Sequence, residues 1–170
     1  TEPWIILENQ RHERLVLTDG VRQRGHLFDP AKVESLLDPD FVRLRDGFEN
    51  LPGTSDPEQL VTVEAREVYS FPLLTEAACD ALIDEVDNFH ATRLPAKRPN
   101  SMNNYGVVLN DIGLKASLSA LQEAVHPLAR ALFPLEGRFF DDHHSFVVSY
   151  RPSEDTALDM HVDDSDVTLN

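Results

Sequence analysis

His161-Val162-Asp163, near the C-terminal end of this chain, sets an imidazole and a carboxylate two positions apart. Ferrous iron accepts those two donor types together: a face of two imidazoles and one carboxylate holds the ion and leaves its other positions open. Side chains alternate along a strand. If residues 157–163 are extended, His161 and Asp163 therefore point one way, and Leu158, Met160 and Val162 point the other. Spacing alone is weak evidence, because seven histidines in so aspartate-rich a chain give about 0.7 such triplets by chance. The context is stronger. The β-branched and aromatic run Ser145–Tyr150 precedes the triplet, the turn-forming Pro152–Thr156 lies between them, and Val167–Asn170 opens another apolar run. The pattern predicts a long hairpin with a ligand side and an apolar side.

Two other readings of the triplet stay open at this level. One is a solvated, acidic strand end. The other is a calcium loop, since carboxylates recur from Asp159 to Asp166, although the glycine that a tight calcium loop requires is missing. Asp141-Asp142-His143-His144 resembles a second cluster, but neighbouring residues on a strand face opposite ways, and a turn leading into the strand is the expectation. His90 and His126 fall in predicted helices and are assigned surface or capping roles; His12 and His26 are assigned none.

The formal charge of −15 excludes a nucleic-acid backbone as partner, since phosphate recognition needs a basic stripe. Locally, the acidic residues around His161 attract a cation and repel a dianion, and no Lys or Arg follows Arg151 to offset them. With 41% apolar residues the chain can fill a core, yet no uninterrupted apolar run is long enough for a membrane span or a secretory signal. Cys79 is the single cysteine, so no intrachain disulfide forms. A reducing, intracellular and cytoplasmic setting is the expectation.

Trp4–Leu7 and Leu15–Leu17 are predicted strands. Asp29 and Pro30 open a predicted short helix through Leu37, as N-cap and first helical residue. Residues 51–57, rich in Pro, Gly and Ser, form the expected linker; it separates an N-terminal extension or subdomain, 1–57, from a second unit, 58–170. Leu60–Phe71 is predicted as one strand. Thr75 caps a helix carrying Ala78, Leu82, Val86 and Phe89. A second helix carries Leu114, Leu118, Leu121, Val125, Leu128 and Leu132 on one stripe, with a kink or restart expected near His126 because Pro127 lies inside it. Gly106–Leu109 is a further predicted strand. The two helices are expected to support the outer face of a β-sandwich.

Phe146–Tyr150, Leu158–Ser165 and Val167–Asn170 together resemble the first half of the catalytic core of the prolyl and lysyl hydroxylase-like 2-oxoglutarate- and iron(II)-dependent dioxygenases. The block Arg98-Pro99-Asn100-Ser101-Met102-Asn103-Asn104-Tyr105, followed by Gly106–Leu109, is similar to a stretch of the 2-oxoglutarate and iron-dependent oxygenase domain-containing proteins. The resemblance covers about residues 66 to 170. It implies an α+β fold, with N-terminal helices packed on the first half of a double-stranded β-helix, or jelly roll. It implies Fe(2+) held by His161 and Asp163, 2-oxoglutarate as cosubstrate with Tyr150 as a hydrogen-bond donor to it, and ascorbate as an accessory cofactor. The implied reaction hydroxylates an unactivated C–H bond of a protein or small-molecule substrate, such as a prolyl or lysyl side chain, with succinate and CO2 as co-products.

Asn170 is a further candidate for the cosubstrate carboxylate. Arg98, Asn103, Asn104 and Tyr105 are candidates for the substrate mouth; the alternative is a loop held by side-chain to backbone hydrogen bonds. One position departs from the resemblance: Leu158 stands where many prolyl hydroxylase-like proteins carry tyrosine. A second ligand histidine and a basic residue for 2-oxoglutarate are expected beyond Asn170, because a chain ending inside a strand leaves backbone groups unpaired. The rival readings are a non-catalytic binding or scaffold module on an incomplete oxygenase core, and a metal-binding cupin with isomerase or hydrolase chemistry.

Overall fold

The computed structural model describes residues 20–50 and 61–170. The predicted strands at Trp4–Leu7 and Leu15–Leu17, the 51–57 linker and His12 lie outside the described residues.

Two Asp-Pro steps start the helical part. Asp29 accepts a hydrogen bond from the Ala31 amide at 3.0 Å and Pro30 opens the helix as predicted, but Pro30–Leu36 winds as a 3-10 helix. Asp38 then repeats the arrangement, accepting from the Asp40 amide at 2.7 Å ahead of helix α1, Pro39–Asn50. Helix α2, Glu76–Thr92, begins where Thr75 accepts from the Ala78 amide, and it ends at Arg93 in the left-handed conformation. Ala78, Ala81, Glu85, Val86 and Phe89 form its buried stripe. Helix α3, Lys115–Leu132, continues through Pro127 without the expected restart. Proline deletes one helical amide there, while Val125 on one side of it and Leu128 on the other are both buried and hold the two halves in line.

Leu60–Phe71, expected as a single strand, is instead a hairpin of β1, Thr62–Ala65, and β2, Val68–Ser70. Its turn at Arg66-Glu67 uses a left-handed Glu67, φ 60°, and carries none of the Gly or Asn that advertise such turns. A second antiparallel pair joins β3, Gly106–Val108, to β4, Phe146–Val148, with Gly106 opposite Val148 and Val108 opposite Phe146. Gly106 has φ 142°, and a Cβ there would lie 2.0 Å from the Val147 carbonyl oxygen, so the close approach of these strands requires glycine.

The fold is therefore α+β. The described residues hold two two-stranded sheets and no jelly roll. Residues 157–163, predicted as a strand, are irregular. A strand is stable only when a neighbour pairs its backbone, and no strand pairs with this segment among the described residues. Met160 and Val162 are accordingly 102% and 93% exposed.

Two clusters make the core. Leu27, Ala81, Val86, Phe89, Val107, Leu109, Ile112 and Leu114 form one. Leu37, Phe41, Val125 and Leu128 form the other, with Phe71, Leu73 and Leu74 against it. Each cluster joins residues from before and after the 51–57 segment. No helix among the described residues is long and apolar enough to cross a membrane.

Between Pro30–Leu36, α2 and α3 lies a cavity of about 50 Å³, apolar except for Ser117. Ser117 is 6% exposed and its Oγ has no hydrogen-bond partner among the described residues. An unsatisfied buried hydroxyl costs free energy that a methyl group does not. Ser117→Ala is expected to stabilise the fold by about 1 kcal/mol, read as a higher urea midpoint at unchanged slope; a lower midpoint would show that the hydroxyl is satisfied in solution.

Candidate metal centre and the loop beside it

The body of the protein meets the His161 segment through a loop and a turn. The loop is Arg98–Tyr105. Asn100 Oδ1 accepts from the amides of Met102 and Asn103, at 2.9 and 2.7 Å. Its amide group donates to Asn103 Oδ1 at 3.1 Å, and Asn103 is buried. Arg98 closes the loop from outside, donating to the carbonyls of Ser101 and Asn103 at 2.7 and 3.3 Å. Arg98 and Asn103, candidates for the substrate mouth, thus spend their polar groups on holding the loop. Asn104 and Tyr105 present exposed side chains, Tyr105 at 45%.

β4 delivers the turn. The Ser149 amide donates to the Tyr105 carbonyl at 3.0 Å, and Tyr150 forms an isolated bridge with Asp155 that closes residues 151–154 into a tight turn. Asp155 was not singled out by its sequence context, yet its Oδ2 accepts from the amides of Asn104 and Tyr105 at 2.7 and 3.0 Å. Those hydrogen bonds, that of the Tyr105 amide first, hold its carboxyl below the usual aspartate range. The ring of Tyr150 is about half exposed.

Beyond the turn, His161 and Asp163 face each other without the help of a strand. His161 Nδ1 lies 2.9 Å from the Asp159 carbonyl oxygen. A carbonyl only accepts, so Nδ1 is the donor of this contact, and Nε2 is the nitrogen left to face Asp163 or a cation. Nε2 is 3.1 Å from Asp163 Oδ1. Two donors bound at right angles to one ion, each at about 2.1 Å, are about 3.0 Å apart. The second oxygen of Asp163 accepts from Thr168 Oγ1 at 2.7 Å, and Thr168 is 2.8 Å from Ser165 Oγ. Both candidate ligands are thus oriented through their other polar atoms, as metal ligands commonly are, and the donor set fits a divalent ion. Among the described residues there is no group of three His, Cys, Asp or Glu side chains placed to hold one. Asn170 is exposed and Leu158 is half exposed.

Three further histidines turn elsewhere. His143 lies 3.1 Å from Ser119 Oγ through Nε2 and 3.0 Å from Ser145 Oγ through Nδ1, while His144 donates to the Pro99 carbonyl at 2.8 Å. His126 donates to the Arg138 carbonyl. Burial pushes the His143 imidazole below the usual histidine range, with the charge of Asp142 opposing that shift. The unfolded chain then takes up this proton before the folded one does. The stability His143 contributes is complete above about pH 6.5 and is lost as the pH falls below it. Melting temperature against pH should therefore decline from pH 7 to 5 more steeply in the parent than in His143→Gln; parallel curves would refute the shift.

Comparison with known proteins decides the family of the chain. An OGFOD2-like domain matches residues 22–138. This chain belongs to the OGFOD2-like family. The 2-oxoglutarate and iron-dependent oxygenase domain-containing protein 2 of Homo sapiens is 40% identical over 170 residues, covering 96% of this chain and 48% of that protein. The corresponding domain-containing protein ICU11 of Arabidopsis thaliana is 38% identical over 178 residues, covering 100% of this chain and 43% of its own length. The multifunctional procollagen lysine hydroxylase and glycosyltransferase LH3 of Rattus norvegicus is 32% identical over 130 residues, 72% of this chain and 18% of that protein. The chain thus spans about half or less of the OGFOD2-like relatives it matches. No solved structure matches it. The family domain ends at residue 138, before β4, whereas the human and Arabidopsis alignments continue over nearly all or all of the chain.

Proposed function

We propose that this chain contributes the first two ligands, His161 and Asp163, to the iron(II) centre of a 2-oxoglutarate-dependent dioxygenase. The observation that carries the reading is the pairing itself: His161 Nε2, on a ring oriented through Nδ1 by the Asp159 carbonyl, faces a carboxylate oxygen of Asp163 at 3.1 Å, on a family member. Iron and 2-oxoglutarate together supply the oxidising power to hydroxylate an unactivated C–H bond, releasing succinate and CO2.

The chain's own residues orient and exclude. Asp159 and Thr168 aim the two donors, and the Arg98–Tyr105 loop forms a rigid edge beside the turn that delivers them. Tyr150, half exposed on that turn, and Asn170 are the candidates for contact with 2-oxoglutarate, and Asn104 and Tyr105, exposed on the loop, are the candidates to meet a substrate. The kinship to a lysine hydroxylase favours a polypeptide substrate with a prolyl or lysyl side chain. The double-stranded β-helix belongs to the same reading: Leu158, Met160 and Val162 leave apolar side chains exposed, which further strands of such a core would cover.

The complete protein, supplied with Fe(2+) and 2-oxoglutarate, is expected to bind iron and release succinate, and a chelator should stop both. Failure to take up iron or turn over 2-oxoglutarate would leave the non-catalytic scaffold as the reading.

A further inference from the structure

We propose that Asp155 is a positioning residue that clasps the metal-bearing segment to the Asn104–Tyr105 edge; the proposal rests on the iron reading above. Oδ2 of Asp155 accepts from two successive backbone amides, Asn104 at 2.7 Å and Tyr105 at 3.0 Å, fifty residues away in sequence. Its own carbonyl accepts from the Arg151 amide at 3.1 Å and its backbone bridges Tyr150. One residue therefore joins the entry of β3, through its side chain, to the exit of β4 and the start of the segment that carries His161, through its backbone.

The receiving loop is rigid, built around the buried Asn103 and closed by Arg98 and Asn100. The segment beyond has no such tie to the body among the described residues: the hydrogen bonds of His161, Asp163, Ser165 and Thr168 stay within residues 159–168. Arg151 adds ion pairs to Asp87 and Glu154 at 3.9 Å each, exposed and weak. With the clasp in place, six residues separate the anchor from His161, a reach of at most about 20 Å. Without it the turn still closes on Tyr150 through backbone contacts alone, and its nearest hydrogen bond to the body is that from Ser149 to Tyr105, twelve residues from His161. Doubling a flexible tether lowers the local concentration of its end about threefold.

The clasp predicts a positional effect separable from metal affinity. Mn(2+), which imidazole and carboxylate also bind, broadens the nuclear resonances of residues near it. In the complete protein loaded with Mn(2+), the Asn104 and Tyr105 amides should be broadened. Asp155→Ala should reduce that broadening by up to about threefold, the limit for a fully flexible tether, while leaving Mn(2+) affinity within twofold of the parent. Asp155→Asn keeps a weaker, uncharged acceptor and should fall between the two; it carries the test alone if Asp155→Ala does not fold. Broadening unchanged in the folded variants would overturn the clasp. Reduced broadening that only follows weakened Mn(2+) binding would overturn it too. A parent protein that takes up no Mn(2+) fails the iron reading instead, and the clasp falls with it.

Discussion

Replacing His161 or Asp163 by alanine in the complete protein is expected to abolish iron uptake and to lower 2-oxoglutarate turnover by more than about 100-fold. Residues that merely orient metal ligands already cost about 10–100-fold when removed, and these two are the proposed ligands themselves. In a site of two imidazoles and one carboxylate, the two donors left cannot hold the ion on a defined face. His90→Ala, on α2 and outside the pair, is the matching control and should behave as the parent. The measurement is iron bound per chain together with succinate formed. Parental turnover in both alanine variants would end the assignment of these residues. Loss of turnover with iron retained in full would place them in cosubstrate contact instead.

Phe41→Ala is expected to have the largest effect on folding. Phe41 is 0% exposed, stacks on Phe71 with ring centroids 5.7 Å apart, and packs with Leu37, Val125 and Leu128. Truncating a buried phenylalanine costs about 3–5 kcal/mol through lost transfer energy and the cavity left behind. Against a total of about 5–15 kcal/mol that is a large share. The melting temperature should fall by on the order of 10 °C, and the urea midpoint should fall with it. A loss under about 1 kcal/mol would mean that α1 is not held to α3 through this ring.

The two predictions concern parts of the chain that were unequally legible. Thr75 and the apolar spacing after it mark α2, and the Leu118–Leu132 stripe marks α3, because caps and helical periodicity are local properties. Asp29-Pro30 is legible in the same way, and Asp38-Pro39 carries the identical signal for α1. That helix is obscured by its composition: between Phe41 and Gly47 charged residues outnumber apolar ones, and only Phe41 is fully buried. Leu60–Phe71 misleads because its alternation continues across a turn that has no turn-forming residue.

The site divides along the same line. The residue types at His161 and Asp163 and the family they belong to follow from the sequence alone, since donor chemistry and motif are written residue by residue. Even their mutual approach needs only a short segment, and it forms in an irregular backbone where a strand was expected. Which residues attach that segment to the body was decided only by the tertiary structure. Arg98 and Asn103 close their own loop, leaving Asn104 and Tyr105 outward. Asp155, unremarkable inside a turn of polar residues, reaches across fifty positions to two backbone amides. Backbone amides are the same at every position, so no side-chain pattern announces which of them a carboxylate will find; that depends on β3 and β4 pairing in the register that brings Tyr105 beside Ser149.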